Sequence, residues 1–508
     1  MKTSKIIAVG IMMFYGSISF AQKLDVNQLD RLSGKYGFES LPEFFEMLSV
    51  ANDAVYPEQV ENNIHWATKA LDKRGFSTEI LKTTATPLLL GEMDFSKAKK
   101  TVLLYFHMDG QAVDTSKWFQ ENPYKAVLKK ISGVNWEEIE TPTDADLMIP
   151  DYRIFARSVS DDKGPLMMFL KAIDILKANN IEPEFNIKVI LDFEEEQGSP
   201  NLPSAVELYK DKLIADILLI FDGPLHITNK PTLAYGARGI ATMSIEVFGP
   251  IAPQHSGHYG NYAPNPALRL SQLLSSMMYE DGRVAINGWY DGITISNDEK
   301  IILARVPDDE EAIKKRLGIA STDNIGSNYQ ESLQYPSLSI LGLKSGWVGK
   351  ETRTIIPATA IAELNIRLVR ESDGRRMIDL VKQHIVKQGY HLVDNEPTEI
   401  EREQFSKIAK FDASLAYAAF RTNMDSEAGR WLRKSIKSAF GEEPIEIRTM
   451  GGSVPISPFV QVLGIPAVGV PTVNLDNNQH SPNENLRYGN YINGIKTITS
   501  ILQTSITD

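Results

Sequence analysis

The 508-residue chain contains no cysteine. Disulfides, thiolate metal ligands, a cysteine nucleophile and a lipidated cysteine are therefore excluded. Any metal must be held by His, Asp and Glu, and an exported form must rest on its packed core, for which the chain is long enough. An excess of positive charge is also missing. The 53 Lys and Arg face 65 Asp and Glu, a formal net charge of -12, which argues against a nucleic-acid partner held through counterion release. There is no short-period repeat and no low-complexity tract. The N-terminal apolar run, Ile6–Tyr15, is too short for a comfortable membrane-spanning helix.

That run has another meaning in context. Lys2 and Lys5 precede it, and Ser19-Phe20-Ala21 follows it. This is the charged, apolar, small-residue order of a secretory signal peptide. Residues 1–21 are expected to be removed on export to the periplasm or beyond, with a membrane anchor as the alternative. Loss of the two lysines would take the formal charge to about -14.

Further along, short β-rich apolar runs (Val102–Phe106, Phe185–Phe193, Ile217–Phe221 and Ile465–Val470) alternate with helical patterns such as Pro165–Ala178 and Glu427–Phe440. The alternation predicts an α/β domain with a mixed, largely parallel central sheet. The middle of the chain differs. Ile240–Phe248 and Ala360–Val369 read as half-exposed strands, with helical patterns near Asn265–Met278 and Arg375–Gln388. This predicts a smaller α+β insertion over 236–395, between a first catalytic segment, 22–235, and a second, 396–508.

The chemistry lies where the core strands end. His107 and Asp109 follow the first run, Glu194, Glu195 and Glu196 the second, and Asp222 the third. In open α/β sheets, ligands bind beyond the carboxyl ends of the strands. Asp161-Asp162-Lys163-Gly164 opens a predicted helix, and His480 sits in the polar loop N-N-Q-H-S-P-N. Taken singly these are ordinary: a His-x-Asp is often a turn, and acids suit a helix N-terminus. Glu194 reads as a solvated surface acid, and His65, His384 and His391 as bystanders. Together they offer two His with Asp161, Glu196 and Asp222, which suit two divalent ions sharing one carboxylate. A spare Glu beside them could act as general base on a water activated by the metals. Two dications would also explain how three consecutive glutamates tolerate one another.

The strings F-H-M-D (106–109), A-R-S-V-S-D-D-K-G-P (156–165), E-E-Q-G-S (195–199), F-D (221–222) and H-S (480–481) resemble those of the dinuclear zinc exopeptidases, family twenty of the metallopeptidases. This family includes carnosine dipeptidase, carboxypeptidase G, succinyl-diaminopimelate desuccinylase and aminoacylase. The dipeptidase branch is the nearest, through Y-G-A-R-G-I (235–240), H-S-G (255–257), Y-P-S-L-S-I (335–340), T-I-I-P (354–357), I-R-L-V (366–369) and G-G-S-V-P (451–455).

The resemblance implies that His107 and Asp222 bind one metal, Glu196 and His480 the other, and Asp161 both, with a cis peptide after Asp161. It implies Glu195 as base and Asp109 as the partner behind His107. The ions would be zinc, with manganese or cobalt as alternatives. The insertion would be a lid that also forms a homodimer, His255 and Thr354 reaching the partner's site and His255 stabilising the oxyanion. Arg367 and Ser453 would hold the substrate's C-terminal carboxylate. Two positions depart from the pattern: Ser158 stands where relatives usually have glycine, and His258 has no family role.

The expected activity is hydrolysis of an amide next to a free carboxylate, in a dipeptide or short peptide. The alternatives are an N-acyl-amino-acid amidohydrolase of the desuccinylase or aminoacylase type on the same scaffold, and a non-catalytic exported peptide-binding protein. A two-metal phosphoesterase would fit the carboxylates but not the lid strings.

Overall fold

The computed structural model describes residues 23–133, 135–140 and 149–506, so the expected signal peptide, 1–21, lies outside the described residues. Among the described residues no helix is long and apolar enough to cross a membrane.

The main sheet has eight strands. In spatial order they are Ser77–Leu81, Leu88–Met93, Asn186–Asp192, Thr101–His107, Ile217–Ile220, Ala467–Gly469, Thr232–Ala234 and Ile445–Ile447. The three strands Asn186–Asp192, Thr101–His107 and Ile217–Ile220 run parallel, and Ala467–Gly469 continues the parallel run. Strand residues alternate between two covered faces. Val102, Leu104, Phe106, Val189, Leu219 and Phe221 enter one apolar layer, with the helices Lys163–Ala178, Glu427–Phe440 and Tyr488–Gln503. Leu103, Tyr105, Ile190, Leu218 and Ile220 enter the other, with the helices Leu202–Leu208 and Ser457–Leu463. Covering both faces is what makes these strands continuous apolar runs in the sequence.

The strand ends are fixed by aromatic packing. Phe106 and Phe221 stack at 5.1 Å between centroids, and Phe169 of the helix Lys163–Ala178 packs on Phe106 at 5.5 Å. Each such pair contributes about 0.5–1.5 kcal/mol beyond its burial. The next residues in the chain are His107 and Asp222, so the stack sets where these side chains begin.

A second sheet has five strands, in the order Ser337–Lys344, Thr359–Leu368, Gly239–Phe248, Ile408–Tyr417 and His391–Val393. One face packs on the helices Pro266–Ser275 and Gly374–Lys387 through Met243, Ile245, Val247, Leu364 and Ile366. The strand Ile408–Tyr417 pairs antiparallel with Gly239–Phe248, so this sheet runs past residue 395, the expected end of the insertion, to Tyr417. Only its start is strongly apolar, and Asp412, Ala413 and Ser414 are exposed, which leaves a weak strand pattern in the sequence.

Candidate metal centre

The carboxyl ends of the parallel strands meet the loop before the helix Lys163–Ala178 and the loop before the helix Tyr488–Gln503. There His107, Asp161 and Asp222 offer ligand atoms within 4.8 Å of one another, as do Asp161, Glu196 and His480. Asp161 is common to both groups. Its Oδ1 lies 3.0 Å from His107 Nε2 and its Oδ2 3.0 Å from His480 Nε2, which is also 3.2 Å from Glu196 Oε2. The peptide between Asp161 and Asp162 is cis.

Asp109 stands behind His107, with its Oδ1 3.3 Å from His107 Nδ1. It does more than orient that ring. The same oxygen accepts the Glu195 N–H at 3.1 Å, and Oδ2 accepts the Glu196 N–H at 2.9 Å. One buried carboxylate therefore ties the His107 strand end to the backbone of both glutamates. A ligand's hydrogen-bond partner of this kind fixes tautomer and ring direction.

The electrostatics show what the cluster requires. Burial pushes the Glu195 carboxyl well above its ordinary value; His107 opposes this, and Asp222, Asp161 and Glu196 add to it. Burial and Asp161 raise Glu196 to about 7 and Asp222 to about 6. Burial would raise Asp161 too, but hydrogen bonds from His107 and His480 hold it well below the carboxylate range. His480 is pushed up to about 9, chiefly by its hydrogen bond to Asp161. Four crowded carboxyl groups and two imidazoles call for positive charge, and the donor set of nitrogen and oxygen without sulfur suits divalent metal ions. The residues fit such ions.

A cavity of about 190 Å³ opens on the cluster. Asp161, Glu195, Asp222 and His480 line it, together with Ser453 and an apolar wall that includes Phe420 and Met450. Arg367 Nη1 donates to Ser453 Oγ at 2.7 Å, bringing the two expected carboxylate-holding residues together. His255 and Thr354 lie beside each other, where Gln254–His255 pairs with Ile355–Ile356 and Ser256 N–H donates to Thr354 O. Both are exposed. Among the described residues neither has a hydrogen bond or ion pair to the cluster within its own chain. The rings of His255 and His258 lie 4.6 Å apart.

The expectation for Glu194 was wrong. It is buried, and its carboxylate accepts from Asn201 N at 3.0 Å and Asn201 Nδ2 at 2.8 Å. The turn after Asp192 folds back on itself, so the first glutamate braces the loop that presents the next two. Four further residues near the cluster were given no role from the sequence, although one of them, Asp162, lies within the D-D-K-G string itself. Gln111 Nε2 donates to Glu196 Oε2 at 2.8 Å, and Gln479 Nε2 to Asp161 Oδ2 at 3.3 Å. Asp162 Oδ2 accepts the His107 N–H at 3.3 Å. Glu484, fully enclosed, receives the N–H of Asp161. Their nearness in sequence to Asp109, His480 and Asp161 was the only available signal.

Comparison with known proteins gives a consistent picture. The profile of peptidase family M20/M25/M40 matches residues 103–504. The Cys-Gly metallodipeptidase of Saccharomyces cerevisiae is 25% identical, covering 94% of this chain and 96% of that protein. The human Beta-Ala-His dipeptidase is 27% identical, covering 81% of this chain and 76% of that protein. Among solved structures, an M20 family metallo-carboxypeptidase from Sulfolobus solfataricus superposes with a TM-score of 0.75 at 28% identity, covering 92% of this chain and 98% of that one.

Proposed function

The chain belongs to peptidase family M20/M25/M40, and on that premise we propose that it is a metal-dependent dipeptidase that cleaves the amide next to a free C-terminal carboxylate. The observation that carries this reading is the cavity. Ligand-type residues and Glu195 form one part of its lining, and Ser453, bonded to Arg367, forms another. An amide and a nearby carboxylate of one small substrate would meet complementary groups at both ends. The apolar side chains that share the lining, Phe420 and Met450 among them, suit a peptide better than a phosphoester.

Two divalent ions, zinc by preference, would be held by His107 and Asp222 on one side and Glu196 and His480 on the other, with Asp161 shared. When bound, they supply charge compensation and Lewis acidity. The chain's own residues do the rest. Glu195 takes a proton from the attacking water onto its carboxylate and delivers it to the leaving amine nitrogen. Arg367 and Ser453 hold the free carboxylate, and a guanidinium does so in a fixed fork. Asp109 keeps His107 and the glutamate loop in register.

We further propose a homodimer through the five-stranded sheet and export after cleavage near Ala21. The first is supported by the edge strand Ser337–Lys344, whose Ile340, Leu341 and Leu343 are exposed. It is also supported by His255 and Thr354, which are exposed and, among the described residues, make no hydrogen bond or ion pair to the cluster of their own chain; in a dimer they would be free to complete the other protomer's site. The second is supported by the order of charged, apolar and small residues over 1–21.

The test is a metal analysis of loaded protein combined with a panel of dipeptides, N-succinyl and N-acetyl amino acids. About two equivalents of metal and turnover of dipeptides over acyl amino acids are expected. Preference for acyl amino acids would move the assignment to the amidohydrolases of the same family, and no metal uptake would remove it.

A further inference from the structure

Glu484 has no role in the mechanism above, yet it is the most heavily hydrogen-bonded carboxylate near the cluster. It is 1% exposed. Its Oε2 accepts from Arg157 Nη1 at 2.9 Å and from Ser158 N at 2.8 Å. Its Oε1 accepts from Ser160 N at 3.0 Å, Ser160 Oγ at 2.9 Å and Asp161 N at 3.1 Å. Backbone N–H groups converging in a turn make a concavity for an anion. Here the anion is a side chain from the His480 loop, and the last N–H of the turn is that of Asp161 itself. Only a carboxylate offers acceptors at both oxygens. An amide would press an NH2 group against donors it cannot satisfy.

The same turn is fastened on its other side. Ser158 sits in the left-handed region at φ +60°. Its Oγ accepts from Asn52 Nδ2 at 2.9 Å, and that nitrogen also donates to Met108 O at 2.7 Å. Met108 follows His107 directly. The backbone carbonyl of Asn52 in turn accepts the Gly110 N–H at 2.9 Å.

We infer that Glu484 is a positioning residue that locks the His480 loop to the Asp161 turn, and that the Asn52–Ser158 hydrogen bond locks that turn to the end of the His107 strand. The two ligand groups are thereby set at their spacing by hydrogen bonds that do not depend on an ion. The inference rests on the two-metal reading of the cluster.

The experiment uses the full-length mature chain, stripped of metal, and titrates it with Zn²⁺ in competition with a chelating dye, well below the thermal transition and with folding checked by circular dichroism. Glu484→Gln is expected to lower zinc affinity by about 10–100-fold, the usual effect of removing a group that orients a ligand, and Asn52→Ala to lower it less. Glu43→Gln serves as a control. Glu43 is bonded to Arg74 and Lys171 in a separate ion cluster, so its loss reduces stability and leaves zinc affinity unchanged. If Glu484→Gln does not fold, Ser160→Ala, which removes only one donor, is expected to weaken zinc severalfold. Folded Glu484→Gln or Ser160→Ala with wild-type affinity would overturn the inference, as would an equal loss in Glu43→Gln. Absence of zinc binding by the wild-type chain would instead overturn the metal reading beneath it.

Discussion

In the strand Thr101–His107 both faces are covered, Val102, Leu104 and Phe106 by one apolar layer and Leu103 and Tyr105 by another. In the strand Gly239–Phe248 the covered set is Ala241, Met243, Ile245 and Val247, while Thr242 is exposed and Ser244 and Glu246 are half-buried. The difference divides the labour. A sheet buried on both faces is rigid and can deliver side chains to one edge with little freedom. A sheet buried on one face keeps a surface, and here an apolar edge, that can meet a partner. The catalytic chemistry collects on the first and the proposed subunit contact on the second.

Substitutions in the two sheets should therefore fail differently. At the end of the buried sheet, Glu195→Gln should cut turnover by about 10²–10⁴-fold, the range for a general base, while metal content stays the same. Glu196→Ala should lose metal and activity together. The reverse pattern, read by elemental analysis beside kinetics, would shift the roles by one residue. In the half-covered sheet, Leu341→Glu combined with Leu343→Glu should raise the dimer dissociation constant by roughly 10–100-fold in sedimentation, because a charge cannot be buried unpaired. The folded monomer should survive. Failure to fold would place these leucines inside a core rather than at an interface.

The helices that cover the buried sheet carry their own electrostatic signature. Burial pushes Glu43 up, but Lys171, Arg74 and Lys73 outweigh it and hold its pKa at about 2, against an ordinary value of 4.5. A depressed carboxylate contributes its stability above the unfolded pKa and loses it as the pH falls toward the folded one. About 3 kcal/mol should disappear between pH 5 and pH 2 in denaturant titrations of the wild type, and Glu43→Gln should flatten that loss. At the turn beside the cluster, Glu194→Gln should cost about 1–3 kcal/mol, since Asn201 loses a charged acceptor. An unchanged denaturation midpoint would return Glu194 to the surface. The smallest effect is expected for Ser158→Gly. Relief of a left-handed residue, about 1 kcal/mol, offsets the loss of a buried hydrogen bond of similar size.

The same contrast explains what the sequence made legible. Continuous apolar runs that lead into His107, Glu195–Glu196 and Asp222 located the strands and the cluster of candidate site residues at their ends, because burial on both faces leaves a strong signal. The strand Ile408–Tyr417 escaped, because its solvent-facing half and small residues blur the alternation. Glu194 was misread because consecutive acids suggest solvent, and only the fold-back to Asn201 reveals its burial. Glu484 and Asn52 were invisible for a related reason: their work is to receive or offer hydrogen bonds to distant backbone, and no spacing records that.

One glycine constrains how this chain can change. A Cβ at Gly110 would collide with Ser158 Oγ and crowd the Asn52 carboxamide. The serine at 158 and the missing side chain at 110 are thus a linked pair. A side chain at 110 would have to push the hydroxyl at 158 off its hydrogen bond to Asn52 or await its loss, and restoring that hydrogen bond would favour a bare 110 again. Gly110→Ala alone and together with Ser158→Gly should therefore behave as a non-additive cycle, the double change being milder than the single one. In this corner of the molecule the order of substitutions, and not only their sum, decides which sequences remain accessible.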